Sequence, residues 1–402
     1  MADMQNYQAP AELDNVRNAA VGIGGLALIA WIAGVYFSPE QALRSWLLGF
    51  IFWGGISIGS LGVLMLQYLT GGAWGVVIRR IMEAASRTLP VVVVMFIPLA
   101  FIGSYHYWTT WSADDYAIAH RGWYMTQESW ILRSVIYFVL LLIIMFLLNK
   151  WGAAQDQAKD HEESAKWLGT ATAFSGPTLV IYSLIVTFAV VDWVMMLDAH
   201  WFSTIWGMLF IAGWGLSCFS FCVAVLAYLS DKAPMNRVLG KKHFHDLGKL
   251  LLAFTMVWAY FNFSQFLIIW SGNIPEETGW YLTRMKGPWM IVGTLLVLFH
   301  FAFPFLILLQ QDFKRKFKWL AGIATFILLM RLVDMFYLIG PNPRIDKTIE
   351  KGAFVLSWMD FVAPIAIGGI WLWWFIGQLK KRPIVPANDP FFEKAIEHGR
   401  GH

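Results

Sequence analysis

Charge is scarce in this sequence. Only 14% of the 402 residues are Asp, Glu, Lys or Arg, against about a quarter in an ordinary soluble domain. A water-facing surface of the usual kind cannot be assembled from so few. Cysteine is scarcer still: Cys218 and Cys222 are too few for a thiolate-held cluster. One helical turn apart in an apolar run, they read as small core residues rather than as a disulfide or metal pair. Also missing is the basic n-region and small-residue cleavage site of a secretory signal. The opening MADMQNYQAPAELDNVR is polar and slightly acidic, so the first apolar segment is expected to remain in the mature chain. Segments of about ten alternating residues, the mark of a membrane barrel, do not occur.

What the chain has instead is hydrocarbon: 58% hydrophobic and 17% aromatic residues. A bilayer core of about 30 Å needs about 20 helical residues at 1.5 Å rise, and continuous apolar runs of that length recur from end to end. The runs predict helices over 19–37, 43–70, 88–108, 131–150, 167–197, 204–229, 247–271, 288–310, 317–339 and 354–379. The fold class is all-α, a polytopic membrane protein of about ten helices. The loops are too short to hold another domain, so residues 1–402 read as one transmembrane domain.

Basic residues set the orientation. Arg79, Arg80, Arg87, Lys159, Lys166, Lys232, Arg237, Lys241, Lys242, Lys249, Lys314, Arg315, Lys316, Lys318 and the tail Lys380, Lys381 and Arg382 fall on one side. The other side has only Arg44, Arg121, Arg284, Lys286, Arg344, Lys347 and Lys351 in its loops. Both termini are therefore expected on the cytoplasmic side of a bacterial inner membrane. The net charge of +4 is a topogenic signal and not a nucleic-acid footprint.

Ionisable groups in hydrocarbon cost about 2.5–3.5 kcal/mol each on insertion scales, so each one needs a partner, water or a task. His106, Asp192, His300, Arg331, Asp334 and Asp360 are the candidates. Arg331 and Asp334 are three apart on one helical face and read either as a structural ion bridge or as a proton or quinol site. His106, Asp192, Asp334 and Asp360 fall in the outer halves of their helices. His300, followed by Pro304, lies near the midplane, either packed or as a proton relay. Asp192 is expected to face protein within an outer-side polar network, with His106 beside it and His300 as the deeper step. The two intramembrane histidines sit at unequal depth and the other histidines in loops, turns or tails, which argues against haem. Two segments echo each other: VVDWVMML, 190–197, and RLVDMFYLI, 331–339. The echo suggests two four-helix units, helices 2–5 over 43–197 and helices 6–9 over 204–339, flanked by helices 1 and 10.

Other patterns point to packing or anchoring. Gly55 and Gly59 have the small-xxx-small spacing of a close helix crossing, favoured over a quinone slot. Trp108, Trp111, Trp123, Trp130, Trp201 and Trp280 read as an interfacial aromatic belt. Ser203 or Thr204 is expected to cap the sixth helix, leaving His200 and Trp201 in a tight turn.

The stretch VVDWVMMLDAHWFSTIWG, 190–207, resembles the signature between helices 5 and 6 of the NrfD-like, polysulphide-reductase-type membrane subunits of bacterial alternative complex III. EAASRTLPVVVVMFIPLAF, 83–101, YFNFSQFLIIWSGNIPEET, 260–278, and HFAFPFLILL, 300–309, are similar to the same subunits. The resemblance spans helices 2–9 and is nearer the F than the C subunit, given the short N-terminus. It implies a ten-helix fold of two four-helix bundles inside a quinol:cytochrome c oxidoreductase of the respiratory chain. The implied partners are a paralogous NrfD-like subunit, an iron–sulphur subunit, multihaem and monohaem cytochromes c, small membrane subunits and lipids.

For the F-like subunit the resemblance implies no redox cofactor of its own, and a structural role to which the ionisable groups would add proton conduction. The proton path would run through His106, Asp192, His300, Arg331, Asp334 and Asp360. The second reading is a subunit that binds and oxidises quinol or menaquinol, with His106 or Asp192 as base. The third is a free-standing transporter. The charge count yields a direct prediction: a cysteine placed in the 313–318 loop should resist membrane-impermeant labelling from outside intact cells, and strong external labelling would reverse the orientation.

Overall fold

The computed structural model describes residues 7–111 and 115–401, and every regular element among them is helical. Ten helices are long and apolar enough to cross a bilayer: α1 (Leu13–Phe37), α2 (Pro39–Thr70), α3 (Ala73–Ala100), α4 (Gln127–Asp156), α5 (His161–Leu197), α6 (Trp206–Leu229), α7 (Lys241–Gly272), α8 (Gly287–Leu309), α9 (Phe317–Ile339) and α10 (Met359–Leu379). The chain is a multi-pass, all-α membrane protein. A short amphipathic helix, α11 (Phe392–Arg400), follows.

Helix contacts close two rings. In the first, α2 packs on α3 and α5, and α4 on α3 and α5; in the second, α6 packs on α7 and α9, and α8 on α7 and α9. The rings meet where α2 lies against α6, and are laced together by α5 against α6 and α9 against α2. Helix α1 lies along α10, which in turn packs on α2. Helices α2 and α6 are therefore buried on nearly all sides, whereas α1, α7 and α8 present most of their surface outward. That outward surface is apolar, with Leu26 at 72% and Ile29 at 67% exposure, as a lipid-facing helix requires.

Glycine sets the closeness of the central crossing. A Cβ on Gly59 would sit 2.3 Å from the Trp214 carbonyl oxygen, and one on Gly55 2.2 Å from Trp214 Nε1. Any side chain at these positions would push α2 away from α6.

Four expectations need correction. The third span was expected over 88–108 but runs Ala73–Ala100, so His106 lies beyond the helix, between two short 3-10 turns. Pro98 marks the early end: it lacks the N–H that would bond back to the carbonyl four residues earlier, and the last turn of α3 tightens to 3-10 geometry around it. Arg79 and Arg80 are not loop residues but buried side chains of α3. The tryptophan belt is not one, since Trp108, Trp130, Trp201 and Trp280 are all buried; of the six, Trp111 is half-buried and Trp123 is 74% exposed. Neither Ser203 nor Thr204 caps α6: its N-cap is Ile205, and Ser203 Oγ donates to Gln265 Oε1 at 2.9 Å instead.

The early start of α3 depends on a charge network that ties it to the tail. Arg80 pairs with Glu83 at 2.5 Å and with Asp156, and Arg79 pairs with Asp389 at 2.5 Å. Arg382 bridges Glu83 at 2.9 Å and Asp156 at 2.7 Å. Beyond the network α11 docks on α7, where His243 Nε2 donates to the Ala395 carbonyl at 2.8 Å. Each of these six charges would be costly alone; as one pair and one four-membered cluster they neutralise one another.

The glycine geometry makes a prediction. Gly59→Ala should destabilise the protein by about 2 kcal/mol through forced separation of α2 and α6, while Gly25→Ala, whose Cβ meets nothing within 4 Å, should cost nothing measurable. Denaturant titration of the two variants in detergent compares them directly.

Candidate functional site

The first ring holds Asp192 near the end of α5, fully buried. An ionised carboxylate offers about four lone-pair sites, and all are taken. Oδ1 accepts from Tyr124 Oη at 2.9 Å and from Arg133 Nη2 at 3.0 Å; Oδ2 accepts from Arg133 Nε and from Tyr137 Oη, each at 2.8 Å. Arg133 also donates to the Tyr124 carbonyl and to Ser129 Oγ, and its guanidinium lies 3.6 Å from the Tyr124 ring centroid. Trp130 Nε1 donates to the Asp192 carbonyl at 2.8 Å. Ser129, Arg133 and Tyr137 are spaced by four, so one face of α4 carries Arg133, Tyr137 and the serine that steadies Arg133, and Tyr124 comes from the 3-10 turn just before α4. The result is a two-pronged latch between α4 and α5.

Arg133, Tyr124 and Tyr137 were not among the residues singled out in the sequence. Part of the signal was there: an arginine a turn and a half inside an apolar helix needs a carboxylate, but Asp192 and Asp360 were both still without a partner. As expected of Asp192, the side chain faces protein.

His106 does not join this network by hydrogen bonds. Its ring contacts Trp130 at 5.9 Å between centroids and lies 4.5 Å from Tyr105. Among the described residues neither of its nitrogens has a hydrogen-bond partner. Burial, with the Arg44 charge adding to it, holds the imidazole down at about 3, so it is neutral at physiological pH.

The second ring holds a different arrangement. Arg331 and Asp334, both buried on α9, form an ion pair, and Trp258 Nε1 of α7 donates to Asp334 Oδ2 at 3.1 Å. The Arg331 guanidinium occupies the space that a side chain at position 213 would fill, since a Cβ on Gly213 would lie 2.4 Å from Nη2. The Trp258 ring meets His300 edge-on at 3.9 Å. His300 is fully buried, and among the described residues neither ring nitrogen has a partner. It sits in a π-helical stretch, Leu296–Ala302, a form concentrated at functional sites. Pro304, just downstream, removes the N–H that would close an α-helical bond to the His300 carbonyl. The structure thus brings His300, Asp334 and Arg331 together around Trp258.

Asp360 stands apart from both. It lies in the first turn of α10, where Oδ1 accepts from Ser45 Oγ at 2.6 Å and Gln41 Nε2 at 2.9 Å, and Oδ2 from the Ser357 amide at 2.8 Å. It acts as a helix-start acceptor. Arg44 and Arg284, expected in loops, are buried and donate to carbonyls just past or at the end of α9. Arg44 reaches the Asn342 and Pro343 carbonyls, and Arg284 those of Tyr337 and Leu338. Cations suit that negative helix end.

Asp192 lies five residues before Leu197, the end of α5, and Asp334 five before Ile339, the end of α9. The carboxylates thus occupy equivalent places in the two rings. Among the described residues no three His, Cys, Asp or Glu side chains form a ligand set for a metal ion, and His106 and His300 belong to different rings. No family profile matches the chain, and no curated protein matches it at a significant level.

The latch has a measurable consequence. Asp192→Asn leaves a largely buried guanidinium without its counter-charge and should destabilise the protein by about 3 kcal/mol. Removing both charges, as Asp192→Asn with Arg133→Leu, should recover part of that loss. Denaturant midpoints of the two variants test it, and an additive double variant would show that the pair is not coupled.

Proposed function

We propose that the chain is an NrfD-like membrane subunit of a quinol:cytochrome c oxidoreductase of the alternative complex III type, without a redox cofactor of its own. The observation that supports this best is the doubled arrangement. Two rings of the same helix order each carry a Val-Asp carboxylate at the same distance from the same end, each neutralised by an arginine. The four stretches that resemble such subunits lie on the helices forming those rings. In this reading the membrane is the bacterial cytoplasmic one with both termini inside, and the neighbours are a paralogous NrfD-like subunit, an iron–sulphur subunit, cytochromes c and small membrane subunits.

The two carboxylates divide the work. Asp192, with every acceptor site filled, holds α4 to α5. The group around Trp258 is the candidate for moving protons: among the described residues neither His300 nitrogen has a protein partner, and the Arg331–Asp334 pair lies beside it across the Trp258 ring. Quinol oxidation at His106 or Asp192 is the less favoured reading, because His106 packs among the rings of Tyr105, Trp108 and Trp130 outside the Asp192 hydrogen-bond network and Asp192 has no free lone pair. A general base must be free to take the proton.

Purification tests the assignment. A tagged chain extracted in mild detergent should bring with it covalently bound haem and quinol:cytochrome c activity. A homogeneous monomer that transports a solute in liposomes would replace the proposal with a transporter. Within the assembled complex, His300→Gln should lower proton release per quinol oxidised, while the Asp192→Asn variant should retain that ratio at whatever level it assembles. Unchanged proton release in His300→Gln would remove the second ring from the pathway.

A further inference from the structure

At the membrane face where α7 and α9 begin, a cleft of about 520 Å³ opens between the α6–α7 and α8–α9 connections. Lys241, Arg315, Lys316 and Lys318 line it. All four are exposed, and none takes part in an ion pair of the described residues. Asp246 and Asp312, the nearest carboxylates in sequence, do not line the cleft, and Asp246 is paired with Lys249 and His398. The free amide groups of the first turns of α7 and α9 add the positive ends of two long helices.

The rest of the wall is apolar and aromatic. Leu239, Phe244 and Phe317 line its depth, and Trp319 stands beside it with 61% of its surface exposed. A tryptophan so placed at the end of a membrane span suits the headgroup level of a bilayer. A soluble anion would use the cations but not the apolar wall. A phosphodiester headgroup attached to acyl chains uses both.

We propose that this cleft binds an anionic phospholipid, its phosphate held by Lys241, Arg315, Lys316 and Lys318 and its glycerol and upper acyl carbons against Phe317 and Trp319. The inference needs only that the helices span a bilayer and does not rest on the respiratory assignment, so either can fail without the other. Basic pockets at the end of membrane helices attract such headgroups, each cation near the surface contributing a factor of about five.

The full chain reconstituted in phosphatidylcholine, with a trace of photoactivatable phosphatidylglycerol or phosphatidylcholine, tests this directly. Phosphatidylglycerol should label peptides covering 239–244 and 313–319 in strong preference to phosphatidylcholine. The triple variant Arg315→Gln, Lys316→Gln and Lys318→Gln should lower that preference roughly a hundredfold. Lys159→Gln with Lys166→Gln, which removes exposed cations of the same face away from the cleft, should leave it within about twofold. Salt at about 1 M should weaken labelling of the unaltered protein, giving the same answer without a substitution. Equal labelling by the two lipids would overturn the proposal, as would a loss in the Lys159 and Lys166 variant as large as in the triple one. Complete displacement by inorganic phosphate would do so too, since it would identify a soluble-anion site.

Discussion

The bidentate pair between Arg133 and Asp192 shows the constraint under which the whole interior is built. A charge placed among hydrocarbon has no water to relax it, so its partner must be supplied by a neighbouring helix at the correct depth and rotation. Once α4 presents Arg133 to α5, the two helices can neither slide nor turn independently. The same logic holds α3 to the tail through Arg79, Arg80 and Glu83, and places Arg44 and Arg284 against the carbonyl end of α9. Apolar surface alone would not fix these relations, because a leucine-covered helix is as comfortable against lipid as against protein. Glycine at 55 and 59 supplies the complementary constraint, letting α2 and α6 approach closely enough for the rings to join.

Within that frame the two rings are alike in plan and different in detail. Each carries its carboxylate at the same distance from the same end. In the first ring the arginine comes from the adjacent helix, and two tyrosines complete the shell. In the second the arginine comes from the same helix, one turn back, and the remaining donor is an indole that also touches an imidazole. The first arrangement is saturated and holds helices together. The second leaves polar atoms without protein partners and lies beside a π-helical stretch, where backbone geometry departs from the regular ladder. A plan used twice, with one copy saturated and the other leaving both His300 nitrogens without a partner among the described residues, is the difference on which the proposed division of labour rests.

Much of the fold could be read from the sequence because membrane spans are encoded by length and apolarity, which need no tertiary knowledge. All ten were located, and the boundaries that failed did so for a physical reason: Arg79 and Arg80 looked like loop charges because their partners, Asp156 and Asp389, are distant in sequence. The pairing of Arg331 with Asp334 was legible since both lie on one helix face. Arg133 was not connected with Asp192, because cross-helix pairs need the relative rotation of two helices, which no local pattern gives. The tryptophans misled for a related reason: an indole near a span end suits an interface or a packed core equally, and only the neighbours decide. His106 was assigned to a helix whose end Pro98 in fact marks.

The division of labour between the rings is tested most directly by a density map of the assembled protein at a resolution that shows ordered water. Water within hydrogen-bond distance of His300 and continuing toward one membrane face, with none on the Asp192 carboxylate oxygens, is what this account predicts. A water file reaching Asp192, with His300 dry and closed in by side chains, would contradict it and exchange the roles of the two rings.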